Sequence, residues 1–123
     1  MNIKPLFVYG TLRDQHPNSA RFGLSGSCTV YNNVTLTGFD LFNLGWFPGI
    51  KPGDGTVLGD VFFVPDNLWS RLDAYEGVPS LYTRQTVSIE SFGDVQVYVY
   101  NGNPPVGSQI ADGDWLSDQQ RAA

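Results

Sequence analysis

The chain has a single cysteine, a single histidine and only seven lysines and arginines in 123 residues. With Cys28 alone, neither an intrachain disulfide nor a cysteine zinc cage can form, and His16 alone cannot make a His-rich metal centre. A structural metal is therefore not expected. The basic residues are scattered at Lys4, Arg13, Arg21, Lys51, Arg71, Arg84 and Arg121 in a chain of formal net charge −5. They form no stripe that could neutralise phosphates, which argues against a nucleic-acid partner. No window approaches the roughly 18 uncharged apolar residues of a membrane span. The opening Met1-Asn2-Ile3-Lys4-Pro5 runs into a strand-like segment and does not read as a signal peptide, so the expectation is a soluble, cytoplasmic protein with no membrane contact. Charged residues are also few, 15% against roughly 25% in an average domain. With 41% apolar and 14% aromatic residues, the chain has material for a packed core. Its length fits one domain spanning residues 1–123.

Strand-like runs are punctuated by 14 glycines and 8 prolines. Residues 6–9 are continuously apolar and stop at Gly10, the pattern of a central strand covered on both faces. A short helix can begin at Pro17 within residues 17–25, weakened by Gly23 and Gly26. In residues 34–44 the apolar phase switches from Val34 and Leu36 to Phe39 and Leu41 across Gly38, which predicts a bulge in a bent strand. Residues 46–55 hold three glycines and two prolines and read as a loop, followed by a strand at 56–64. The well-marked helix runs from Pro65-Asp66 to Tyr75, with Gly77 placed to end it. Strands at 82–89 and 95–100 are joined by a hairpin turn at 91–94. Residues 104–123 read as mostly irregular, especially after about residue 116, with Ile110 and Trp115 as anchors and frayed last residues. The fold class is α+β, a small bent or barrel-like mixed β-sheet with one principal helix.

On a helical wheel of about 100° per residue, Leu68, Leu72, Tyr75 and Trp69 share one arc, and Glu76 falls inside it. As the last residue of a fraying helix, Glu76 could simply reach water. Its position nevertheless sets a carboxylate against the negative end of the helix dipole and toward the apolar face, and both effects raise its pKa. A carboxyl poised nearer neutrality is what a general acid and base needs. In Tyr9-Gly10-Thr11-Leu12-Arg13 a buried strand ends abruptly at glycine, and free N–H groups at such a turn can hold a carboxylate or an oxyanion. Gly-Thr after a strand is by itself more often only a turn. Tyr82-Thr83-Arg84 can bring a phenol and a guanidinium near Glu76. Arg84 read alone is a solvated strand residue.

In order along the chain stand Val8-Tyr9-Gly10-Thr11-Leu12-Arg13, Phe47-Pro48-Gly49-Ile50, Val57-Leu58-Gly59-Asp60-Val61, Leu72-Asp73-Ala74-Tyr75-Glu76-Gly77 and Tyr82-Thr83-Arg84. This series resembles the gamma-glutamylcyclotransferase-like family over roughly residues 5–115, and Tyr-Gly-Thr-Leu is closest to its gamma-glutamylamine branch. The resemblance implies a small barrel-like α+β fold and a small-molecule gamma-glutamyl substrate. It also implies an intramolecular acyl transfer that releases 5-oxoproline and an amine. It assigns proton transfer to Glu76, head-group binding to Tyr9, Gly10, Thr11 and Leu12, and a wall or donor role to Tyr82. Asp73 suits helix packing better, and Asp60 stands where relatives are expected to carry Glu. Asp14-Gln15-His16-Pro17-Asn18 departs from the basic, glycine-bearing loop expected of the family, which puts head-group binding there in question. Trp46 and Phe47, with Tyr9, Tyr75 and Tyr82, support an alternative: a module that holds a small molecule in the same cavity without turning it over. Such a module has no need of Glu76. A purely structural or interaction domain ranks last, because it leaves that carboxylate without a purpose.

Overall fold

Leu6, Phe7 and Val8 are all buried because their strand lies in the middle of a sheet with both faces covered. The computed structural model describes residues 2–122. In chain order it contains β1 (Ile3–Val8), α1 (Pro17–Arg21), β2 (Val30–Asn43), β3 (Pro48–Pro65), a 3-10 turn (Asp66–Leu68), α2 (Trp69–Tyr75), β4 (Tyr82–Ile89), β5 (Gly93–Tyr100) and α3 (Trp115–Ala122). The strands form one curled, half-barrel sheet in the order β2-β3-β1-β5-β4, with β1 antiparallel to β3 and parallel to β5. Successive side chains of β1 therefore serve two cores. Phe7 packs with Val57, Val61, Val97, Ile110 and Trp115 on one face, and Leu6 and Val8 pack with Phe62, Trp69, Leu72 and Tyr98 on the other. Leu72 is the anchor of α2. Its complete burial contributes about 1.5–3 kcal/mol and holds the end of that helix against the sheet. Among the described residues no helix is long and apolar enough to cross a membrane.

The bulge predicted at Gly38 is present: the β2–β3 register shifts between Thr37 and Phe39, and Gly38 has φ +88°. The helix begun at Pro17 is shorter than 17–25 and ends at Arg21, ahead of Gly23 (φ +77°). The expected loop over residues 46–55 is a correction. Only its first two residues lie in the turn, and residues 48–55 belong to β3, paired with β2 from Asn43↔Pro48 through Phe39↔Pro52. The glycines there admit a side chain instead of bending the backbone. Asp40 Oδ1 accepts from the Gly55 N–H at 2.9 Å, and a Cβ at Gly53 would lie 2.1 Å from Asp40 Oδ2.

The C-terminal segment is a second correction. Ile110 and Trp115 are buried anchors, yet residues 115–122 form helix α3 and are not irregular. Asp114 starts it: its Oδ1 accepts from the Ser117 N–H at 3.2 Å, and its carbonyl accepts from the Asp118 N–H at 3.0 Å. A segment with so little apolar periodicity after Trp115 takes its helicity from that cap and from the buried Trp115. Ala123, expected to fray, lies outside the described residues.

Candidate active site

Where β1 ends, residues 10–13 fold into a turn closed by the Arg13 N–H to the Gly10 carbonyl at 3.1 Å. Among the described residues the backbone N–H groups of Gly10, Thr11 and Leu12 have no protein acceptor. Glycine is required at position 10 because the β2–β3 hairpin packs on the turn: a Cβ there would lie 2.5 Å from Pro48 Cγ. Pro48 is fixed from a third direction, since its carbonyl accepts the Tyr82 hydroxyl. The end of β1, the hairpin tip and the start of β4 thus meet at one point.

Facing this point is the end of α2. Glu76 is its C-cap, with its N–H bonded to the Leu72 carbonyl at 3.0 Å, and Gly77 (φ +67°) turns the chain away. The cleft between them encloses about 340 Å³, its open mouth included. Val8, Tyr9, Gly10, Thr11, Leu12, Phe47, Pro48, Glu76, Tyr82 and Tyr98 line it, with Phe7 at its base. Among the described residues no hydrogen-bond donor or cation pairs with the Glu76 carboxyl, and burial pushes its pKa up to about 8. The hydroxyls around it are engaged as donors. Tyr9 Oη donates to the Tyr98 carbonyl at 2.6 Å, and Tyr98 Oη to Asp73 Oδ1 at 2.7 Å. Burial raises the pKa of Tyr9, Tyr82 and Tyr98, and the Glu76 charge adds to the rise in each. All three are neutral at physiological pH.

Glu76, Tyr9, Gly10, Thr11, Leu12 and Tyr82, singled out in the sequence from stretches as much as seventy residues apart, therefore share one cleft. Thr11 turns its hydroxyl to the rim, 2.8 Å from Tyr75 Oη, which also accepts from Asn18 Nδ2 at 2.9 Å. Arg84 does not reach the cleft: it sits 3.6 Å from Asp73 Oδ1 and over the Trp69 ring. Of the aromatic pair in the hairpin tip, Phe47 lines the cleft at the edge of the Tyr82 ring, whereas Trp46 is 91% exposed and joins neither core nor cleft. Tyr75 points to the rim and packs at a tilt against the Phe22 ring, so the apolar arc of α2 is narrower than its sequence implies. Tyr98 is a cleft residue that sequence reasoning missed. In an alternating strand nothing marks it out from its neighbours. Among the described residues no cluster of three or more His, Cys, Asp or Glu is arranged to hold a metal ion.

Residues 6–117 match the family described as "Gamma-glutamyl cyclotransferase, AIG2-like". The chain belongs to this family. A Vibrio cholerae protein named as a gamma-glutamylcyclotransferase is 36% identical over 110 residues, covering 89% of this chain and 93% of its own. Human gamma-glutamylaminecyclotransferase is 30% identical over 129 residues, covering 85% and 84%. The solution structure of the Escherichia coli protein YtfP superimposes with a TM-score of 0.73 at 30% identity, covering 94% of this chain and 98% of that one. The protein is an enzyme of the gamma-glutamylcyclotransferase-like type. The match spans every wall of the cleft, from the β1 turn to the α2 carboxylate and β5.

Proposed function

We propose that the protein cyclises a gamma-glutamyl amine, releasing 5-oxoproline and the free amine, with Glu76 as the proton carrier. The observation that carries this reading is a carboxyl held in the same cleft as three backbone N–H groups, none of them with a protein partner among the described residues. The substrate's α-nitrogen attacks its own γ-carbonyl carbon, a C–N bond closes the five-membered ring, and the bond to the leaving nitrogen breaks. Attacking and attacked atoms belong to one molecule, so positioning replaces a protein nucleophile. The α-ammonium gives up two protons in all, and the leaving nitrogen takes up two, departing as an ammonium. Glu76 takes one from the α-nitrogen and gives it to the leaving nitrogen, while the other passes from the α-nitrogen to water and the departing amine draws its second proton from water. A carboxyl with a pKa of about 8 is suited to both halves of the Glu76 transfer. The N–H groups of Gly10, Thr11 and Leu12 supply donors for the α-carboxylate and for the oxygen of the tetrahedral intermediate. Tyr9 and Tyr82 act as walls, their hydroxyl protons already committed to the Tyr98 and Pro48 carbonyls.

The gamma-glutamylamine branch is favoured by Tyr-Gly-Thr-Leu at 9–12 and by the relationship to the human enzyme of that name. A non-catalytic binding module would gain nothing from a partly buried carboxyl with no partner among the described residues, which costs stability whenever it ionises. The test is mass-spectrometric detection of 5-oxoproline after incubation with a panel of gamma-glutamyl amines and gamma-glutamyl amino acids. Release from the amines is the expected result. Silence across the panel, with a panel member raising the melting temperature, would transfer the cleft to the binding reading.

A further inference from the structure

A buried polar cluster lies outside the cleft, directly behind its N–H turn. Arg13 and Asp60 are 3% and 1% exposed. Asp60 Oδ2 accepts from Arg13 Nε at 3.2 Å and from the Asp14 N–H at 3.0 Å. Asp60 Oδ1 accepts from Arg13 Nη2 at 3.2 Å and from the Asn33 N–H at 3.1 Å. Burial alone would raise the Asp60 pKa, but the hydrogen bonds from Arg13, Asp14 and Asn33 and the Arg13 charge outweigh it and leave the carboxyl below its ordinary value. The rest of the guanidinium is also engaged: Nη2 donates to Asn33 Oδ1 at 3.1 Å and Nη1 to Asp114 Oδ1 at 3.5 Å. Asn33 sits at the first register shift of β2, between Tyr31 and Val34, with φ +58°, and Asp114 starts α3. Three separate parts of the chain, at Asn33, Asp60 and Asp114, therefore converge on the Arg13 side chain, and the backbone N–H of the same residue closes the turn whose Gly10, Thr11 and Leu12 line the cleft.

A buried ion pair of this kind adds little net stability compared with well-packed apolar residues, although removing one partner is costly. Its geometric effect is specific. Arg13 donates its backbone N–H to the Gly10 carbonyl, and Asp60 receives the N–H of Asp14, the residue after Arg13. The C-terminal side of the turn cannot shift relative to β3 without breaking a bidentate contact. Its N-terminal side is fixed by Pro48 against Gly10.

We propose that Arg13 and Asp60 are positioning residues, a buried brace that holds the Gly10–Leu12 N–H groups in register with Glu76 across the cleft. This inference rests on the reading of the turn as the head-group site. Asp60→Asn keeps the shape and removes the charge. It is expected to raise KM and lower kcat at least tenfold each for whichever gamma-glutamyl amine the native enzyme cyclises. The pH at which kcat/KM rises, set by Glu76, stays in place. A merely structural role would lower the active fraction, and with it the apparent kcat, at unchanged KM. Arg13→Lys retains the charge but loses the fork, and serves where Asp60→Asn does not fold. It should show the same KM rise at smaller size. Amide hydrogen exchange at Arg13, whose N–H closes the turn on the Gly10 carbonyl, should accelerate at least tenfold in either variant, above any global change. Folded variants with native KM and native exchange at the turn would overturn the brace. If the native protein releases no 5-oxoproline, the proposed function fails, and the exchange measurement still decides the brace.

Discussion

Asp73 and Glu76 stand one turn apart at the end of α2, and the sheet treats them oppositely. Asp73 Oδ1 accepts from Tyr98 Oη at 2.7 Å and lies 3.6 Å from Arg84 Nε, so its charge is answered at once. Glu76 points into the cleft with no answering group among the described residues. The offset of about 60° between the two positions separates a packing carboxylate from one left free for chemistry. It also leaves Glu76 as the acid whose ionisation the folded protein resists.

That resistance sets the pH dependence. A general base works in its ionised form, so kcat/KM, which reports the free enzyme, should rise with pH through about 8. Once substrate is bound, its α-ammonium beside Glu76 favours the carboxylate, so the limb in kcat should lie at lower pH. Initial rates between pH 5.5 and 9.5 measure both. A kcat/KM profile that is flat through this range would contradict the role given to Glu76.

The same shift carries a stability consequence. Glu76 ionises near 4.5 when unfolded and near 8 when folded, so the folded state holds the extra proton between those values. Stability therefore falls as pH rises across that window. Glu76→Gln removes the titration and should melt at least about 4 °C above the native protein at pH 9, the equivalent of roughly 1 kcal/mol in a domain of this size. The gap should close toward pH 4. Thermal melts of both proteins at three pH values check the sign.

Gly10→Ala should destabilise the protein by about 1–3 kcal/mol, because its Cβ would meet the Pro48 ring at 2.5 Å and that ring is held in place by Tyr82. Displacement of the hairpin tip should also raise KM. Denaturant melts and initial rates measure the two effects.

Trp46→Ala provides the contrast within the same hairpin tip. At 91% exposure the indole packs against neither core, and the substitution should change stability by less than about 0.5 kcal/mol. Phe47→Ala removes a partly buried cleft wall and should cost about 1–3 kcal/mol. Denaturant unfolding of both variants distinguishes the neighbours.

These contrasts show where the sequence was legible. The unbroken apolar run at 6–9 marked a strand buried on both faces, the phase switch at Gly38 marked the bulge in β2, and the helical wheel set Glu76 apart from Asp73. All three are local patterns with one dominant cause. The misread segments depend on partners distant in the chain. Gly53 and Gly55 resemble a loop until Asp40 is packed against them, and residues 115–122 look irregular until Asp114 caps them and Trp115 enters the core. Tyr98 and the Arg13–Asp60 pair were invisible as a site for the same reason. Each is polar chemistry assembled across the sheet, and no spacing in the sequence encodes it.

The central claim is that the Glu76 carboxyl carries the proton between the two nitrogens. Turnover of one gamma-glutamyl amine by native protein and by Glu76→Gln, followed as 5-oxoproline at pH 8, tests it most directly. The account predicts a folded variant with a rate at least about a hundredfold lower. A Glu76→Gln rate within a few-fold of native would contradict it.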